Sequence, residues 1–398
     1  MAVALVQPMS EPPPLDAPPK KRERKGKKPE PFRIIELLEQ ARRVRLLHEA
    51  TWRRNKLFVR GDQWLKYDDI SGMPIDQHVP AWKKFTTVNV VYNHRRVLTS
   101  KRTAIDHIPI IIPTTSEETD RAKARVAEQS IKWVFRENDY EQERVYNAID
   151  AVETGSSWYR VDWDASRGAE LDQMPPESGE PAGPERSGLP VFRNVSPFEV
   201  FISPGAMRLQ DARWILHVQW VSKDYVLERW GQDVEPGDTA DIDVILQQRT
   251  PLDPDTQRQA ERFVAIIECW HKPNKDHPKG YYAAVCNSEV IDWRGELEPW
   301  GFPFVYMPFD PDPDAFYGTT PITNVCQIQA DLNRLVAAML EGANHSMFPP
   351  VMVPNGSNLQ TPTGDPGEHL SYNETAGRPW VMETRSIDPQ VFQITSLL

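Results

Sequence analysis

The stretch YGTTPITNVCQIQADLNRLVAAMLEGANHSMFPPVMVP, residues 317 to 354, constrains the fold more than any other part of the chain. Thr320 is a good N-cap, and Pro321 suits the first helical turn, where a missing N–H costs nothing. Beyond it Ile322, Val325, Ile328, Leu332, Leu335, Met339 and Ala343 recur at gaps of three and four, which sets them on one stripe of a helix. Thr323, Gln327, Arg334, Glu341 and Asn344 fall mostly elsewhere. Pro349 and Pro350 then turn the backbone extended, so the spacing predicts a helix over 321–346 that hands the chain to a short extended PVMVP. Such a helix is either an ordinary core element or a surface on which a neighbouring copy packs.

The rest of the chain mixes helices and strands. In FRIIELLEQARRVRLLHEATWRRNKLF (32–58), Leu37, Ala41, Val44 and Leu47 stand at helical spacing with arginines between them, predicting a long surface helix. A second helix is expected across 89–106, followed by IPIIIP (108–113) as a strand at a sheet edge. Thr115 and Glu118 have capping-box spacing and open a third helix to about Glu137. A fourth runs from Tyr140 to Thr154 and ends at Gly155, a good left-handed cap. SWYRVDWD (157–164) has strand composition. Residues 165–190, with five prolines and four glycines, predict a flexible exposed excursion. Beyond it come the strand RWILHVQW and a short helix between Ser222 and Gly231. Three strands follow, FVAIIECW, YYAAVCNSEVIDW (turning near Asn287 and Ser288) and FPFVYMPF. The order is that of an α+β fold, not a βαβ array.

At 398 residues the chain exceeds one ordinary core and predicts two or three domains or subdomains. Its first 31 residues carry seven Lys/Arg against four acids and many prolines, a disordered basic tail by composition. The remainder holds 39 basic and 53 acidic residues, which argues against a surface that grips phosphates tightly. No run approaches eighteen apolar residues, and the apolar start MAVAL is too short for a signal peptide, so no membrane is expected as a partner. Cys269, Cys286 and Cys326 are odd in number and widely spaced, unlike a disulfide framework. Cys269 and His271 alternate on one strand, but no second ligand pair follows.

No phosphate-binding glycine loop, dinucleotide fingerprint, zinc-protease motif, nucleophile elbow or kinase motif occurs, and no cofactor is expected. Asp310, Asp312 and Asp314 in FDPDPDAFYG would be the best hard-cation cluster, although the interleaved prolines rule out an EF-hand and an acidic turn before a capped helix explains them better. Asp162 and Asp164 share a strand face without a Lys or Glu partner in register. These carboxylates leave a metal-dependent nucleic-acid enzyme as one alternative, and the basic arm leaves a non-viral adaptor as another.

Three segments, taken in order, resemble the portal proteins of tailed bacteriophages, particularly the P22-like family: VNVVYNHRRVLTSKRTAIDHIPIIIPTTSEETDRAKARVAEQSIKWVFRENDYEQERVYNAIDAVETGSSWYRVDWD (88–164), NVSPFEVFISPGA (194–206), and FYGTTPITNVCQIQADLNRLVAAMLEGANHSMFPPVMVP with its Gln and Asn at intervals. The resemblance covers roughly residues 30–360. It implies a helical and β wing over 32–316, a first stem helix over 321–346, a small α/β clip over 347–390, and the start of a truncated second stem helix at 391–398. It implies a non-enzymatic, ring-shaped homo-oligomer, a dodecamer in the family, at one capsid vertex, through which double-stranded DNA is packaged and ejected. The partners implied are the terminase large subunit, capsid and scaffolding proteins, and tail adaptors. The location implied is the virion, with assembly in the host cytoplasm. On this footing Val325, Ile328, Leu332, Leu335 and Met339 are expected at subunit interfaces. Met352, Tyr372 and Trp380 are expected to meet terminase or adaptors, and Arg334 to make weak DNA contact.

Overall fold

The structure, a computed structural model, describes residues 28–64, 66–67, 74–75, 85–105, 109–168, 186–234, 263–287, 289–347, 351–356 and 371–381. The chain divides into two compact units, Met1–Glu36 with Arg213–Phe302 and Leu37–Ala212 with Pro303–Leu398. Helices and antiparallel sheets occur together, so the fold is α+β.

Helix α1 (Pro31–Arg60) starts at a proline and stops at Gly61, which adopts φ +104°. Its inward face is not the expected one. Leu38, Ala41, Trp52, Phe58 and Val59 are buried, but so are Arg45, Glu49, Arg53 and Asn55, whereas Val44 and Leu47 of the anticipated stripe are 55% and 70% exposed. The expectation of a simple surface helix is therefore corrected, and the reason is electrostatic. Arg45 donates to the carbonyls of Pro197 (3.1 Å), Phe198 (3.0 Å) and Val200 (2.6 Å) and lies 3.5 Å over the Phe201 ring. Glu49 accepts from Arg45 Nε at 2.6 Å and from Arg53 Nη2 at 2.8 Å. A charge triad with its hydrogen bonds supplied can occupy a core position that hydrophobicity alone assigns to leucine.

Helix α2 (Val90–Thr103) is capped by Asn89, whose Oδ1 accepts from the Tyr92 N–H at 3.1 Å. The following IPIIIP does not form the expected edge strand: residues 109–113 are unpaired, with Ile110 and Ile112 largely exposed. Two prolines in six residues remove the donors that a ladder requires. Helix α3 (Glu118–Glu137) also lacks the expected capping box, because Thr115 donates instead to Asp120. Helix α4 (Tyr140–Thr154) ends as expected at Gly155, φ +81°. It packs on α2 and on strands β3 (Ser156–Asp164) and β4 (Leu189–Val195). Strand β10 (Phe304–Pro308) completes an antiparallel sheet in the order β10-β3-β4, with Tyr306 opposite Trp158 and Trp158 opposite Val195. Residues 169–185 of the expected excursion lie outside the described residues, as does the basic tail through residue 27. Short strands β1 (Lys66–Tyr67) and β2 (Pro74–Ile75) pair, and β5 (Val200–Ile202) is buried throughout.

The other unit is a meander. Strands β6 (Trp214–Ser222), β7 (Phe263–His271), β8 (Tyr281–Cys286) and β9 (Glu289–Arg294) pair successively antiparallel. Helix α5 (Lys223–Trp230) is capped by Ser222 and closed by Gly231, as expected. The β8–β9 turn bends at Asn287, which takes φ +45°. Glu268, fully buried on β7, accepts from Tyr282 Oη at 2.8 Å and meets His217 and Gln219 at 3.3 Å.

Candidate interaction site

Helix α6 (Pro321–Met347) has 27 residues, about 40 Å of rise. Its root is a crossing of two glycine backbones. A Cβ on Gly155 would stand 2.9 Å from the Gly318 carbonyl carbon and closer still to its oxygen, and one on Gly318 would stand 2.6 Å from the Gly155 oxygen. Only glycine permits that approach. The crossing is pinned by the Phe309 N–H on the Gly155 carbonyl (2.9 Å) and by Tyr306 Oη. That hydroxyl accepts from the Gly318 N–H (2.9 Å), meets Ser156 Oγ at 3.0 Å and donates to the Phe316 carbonyl at 3.1 Å. Thr320 caps the helix as expected: its hydroxyl accepts from the Ile322 N–H at 3.3 Å and donates to the Val152 carbonyl.

The face that α6 buries is Ile322, Cys326, Gln329, Asn333 and Ala337. Ile322 and Cys326 join Phe58, Val59, Val91 and Val152 in one apolar cluster. Burial pushes the Cys326 thiol up to about 11, so it stays protonated and donates to Asn55 Oδ1 at 3.5 Å. Above this cluster four side-chain amides form a hydrogen-bonded ladder. Gln329 Oε1 accepts from the N–H groups of Val90 (3.1 Å) and Val91 (3.3 Å), while Nε2 donates to the Val88 carbonyl (2.7 Å) and Asn333 Oδ1 (3.0 Å). Asn333 accepts from the Val88 N–H (3.0 Å) and donates to Gln63 Oε1 (2.6 Å). Gln63 in turn reaches the Phe58 carbonyl (2.7 Å) and Asn89 Oδ1 (2.9 Å). The ladder takes up the open backbone groups at the end of α1 and the start of α2. Pattern reasoning missed Gln63, Asn89, Gln329 and Asn333, because a hydrophobic stripe search discards amides. The signal available was the i, i+4 spacing of Gln329 and Asn333.

The stripe anticipated from sequence shares Ile322 with this buried face and otherwise lies beside it. Val325 packs against the apolar cluster, Leu332, Leu335 and Met339 are half-buried, and Ile328 is 55% exposed. From Ala338 to Asn344, nearly two turns of α6, no residue is buried. Arg334 is exposed and pairs with Asp331 at 3.0 Å. Past α6, β11 (Val351–Met352) pairs with β12 (Trp380–Val381), leaving Met352, Tyr372 and Trp380 exposed.

The carboxylates singled out from sequence serve local structure. Asp310 is bridged through its backbone to Thr319, and Asp312 accepts from the Asp314 N–H at 3.0 Å, an acidic turn ahead of α6. His48 lies near enough to Asp312 to feel its charge, yet burial lowers its pKa overall. Asp162 pairs with Arg160 at 2.7 Å, while Asp164 accepts from Ser166 N–H (2.9 Å) and Oγ (2.6 Å). Cys269, its thiol pushed up to about 12 by burial, and His271, bound to the Lys272 carbonyl at 2.6 Å, are likewise used internally. Among the described residues, no group of three or more His, Cys, Asp or Glu is arranged to hold a metal ion, and no helix is long and apolar enough to cross a membrane.

Compared with known proteins, residues 52–294 match the family described as phage P22-like portal protein. No curated protein matches the chain.

Proposed function

Because the chain belongs to the phage P22-like portal protein family, a structural and non-enzymatic kind of virion capsid protein, we propose that it forms the ring-shaped channel at one capsid vertex through which double-stranded DNA is packaged and ejected. The observation that carries this is the family match, which covers most of both compact units. On this reading the elements of residues 32–316 are the wing, α6 is the first stem helix, and the β11–β12 pair belongs to a clip over 347–390. The closed ring, dodecameric by analogy, assembles in the host cytoplasm with capsid and scaffolding proteins and then engages the terminase large subunit and, later, tail adaptors.

Two features of α6 support the stem assignment. The helix is anchored on one face by the amide ladder, and it leaves Ile328 and Leu340 exposed on others. Large apolar side chains left exposed on a helix already anchored on another face are the kind that an inter-subunit contact covers. Val325, Ile328, Leu332, Leu335 and Met339 are therefore assigned to the neighbouring subunit as well as to their own. Trp380, with Met352 and Tyr372 around it, is assigned to terminase or adaptor binding, because an exposed aromatic is the residue type that anchors interfaces. Arg334, already paired with Asp331, is assigned only a weak DNA contact.

Leu332→Asp tests the stem assignment. Leu332 lies off the buried face of α6, so the subunit should fold while its assembly weakens at least tenfold in concentration, read by analytical ultracentrifugation. Assembly equal to the parent's at equal concentration would remove the stripe from the interface.

A further inference from the structure

Among the described α-helices, α2 alone carries cations with no acid between them. It carries His94, Arg95, Arg96, Lys101 and Arg102 and no Asp or Glu. Two of these cations are used inward. Arg95 pairs with Glu153 at 3.1 Å, and Arg102, whose pKa burial lowers, stands 5.8 Å from the Phe309 ring. Val91 and Thr99 are buried on the same side, where α2 packs on α4 and α6. The opposite face is built differently. Asn93, Arg96, Val97, Ser100 and Lys101 follow the i, i+3, i+4, i+7, i+8 spacing and are exposed, with His94 beside Lys101. Arg96, Lys101 and His94 enter no ion pair among the described residues.

We propose that this outward face of α2 contacts the phosphate backbone of duplex DNA. Guanidinium, ammonium, amide and hydroxyl groups in one row are the donors that phosphates take, and none of them reads base sequence here. Arg96 and Lys101 on a chain of formal net charge −11 give each subunit only a few contacts, which suits DNA that must slide and not lodge. The choice of DNA over another polyanion rests on the portal reading; the existence of the cationic face does not.

The test uses the full chain and a short fluorescein-labelled duplex of mixed sequence, with binding followed by anisotropy across a salt series. Arg96→Gln/Lys101→Gln should flatten the slope of log affinity against log salt by about 0.9 for each phosphate-neutralising cation removed, about 1.8 for both. Arg96→Lys/Lys101→Arg should keep the parent slope. A parent that does not bind the duplex at low salt, or a Gln variant with the parent slope, overturns the proposal, and in the second case the N-terminal basic arm holds the DNA. Loss of assembled mass in the Gln variant at an unchanged slope also overturns it, because the face then meets a neighbouring copy. Micrographs of the parent keep the two ideas apart: rings with an unchanged slope defeat only the α2 assignment, and a flattened slope without rings defeats only the portal reading.

Discussion

Gly155→Ala is expected to cost about 2–6 kcal/mol of folding stability, combining left-handed strain at a non-glycine residue with overpacking. Gly155 holds φ +81°, and its added methyl would meet the Gly318 backbone, which cannot swing aside as a side chain would. Gly318 faces the same constraint in reverse, against the Gly155 oxygen and the Pro308 side chain. The crossing sets where α6 starts, so the loss falls on the element that the portal reading makes the stem. Urea denaturation followed by tryptophan fluorescence measures it. A midpoint equal to the parent's would mean that the two strands of backbone do not approach as closely as described.

The second large effect belongs to Glu49→Gln, which keeps the side-chain shape and removes the charge. Arg45 and Glu49 side chains are 1% and 3% exposed, and Arg53 stands on the other side of the same carboxylate. Without the anion, two buried guanidinium groups face each other uncompensated, at a cost of about 3–5 kcal/mol. Arg45 keeps its three carbonyl acceptors at residues 197, 198 and 200, so the loss measured is that of the charge and not of every hydrogen bond. The same denaturation assay reports it, with Glu49→Asp as a shorter carboxylate for comparison. If Glu49→Gln unfolds at the parent's midpoint, the triad contributes nothing to the core of this unit.

Both substitutions act at places that pattern reasoning only partly reached. Capping chemistry was legible: Thr320 and Pro321, Gly155, Ser222 and Gly231 all bound the elements they predicted, because each acts through its own backbone conformation. Strands rich in β-branched and aromatic residues were legible for the same local reason. The inward faces of α1 and α6 were not. Arg45, Glu49 and Asn55 on one helix and Gln329 and Asn333 on the other replace the apolar residues a stripe search expects, and their partners lie from 4 to 271 residues away in sequence. Polar burial depends on partners that only the tertiary arrangement supplies. The stripe that was legible, Val325 to Met339, stands beside the buried face, which is why it is assigned to a neighbouring subunit. IPIIIP failed as an edge strand although its prolines suit an edge: residues 109–113 meet no ladder partner, and Pro109 and Pro113 have no N–H with which to recruit one.

The central claim is that this chain builds a ring, and electron micrographs of the purified protein, paired with its mass in solution, test it most directly. Closed rings with a single central channel are expected, with a mass that is an integral multiple of the 45.7 kDa subunit. A particle that stays at the mass of one subunit across the accessible concentration range, with no rings on the grid, would contradict it.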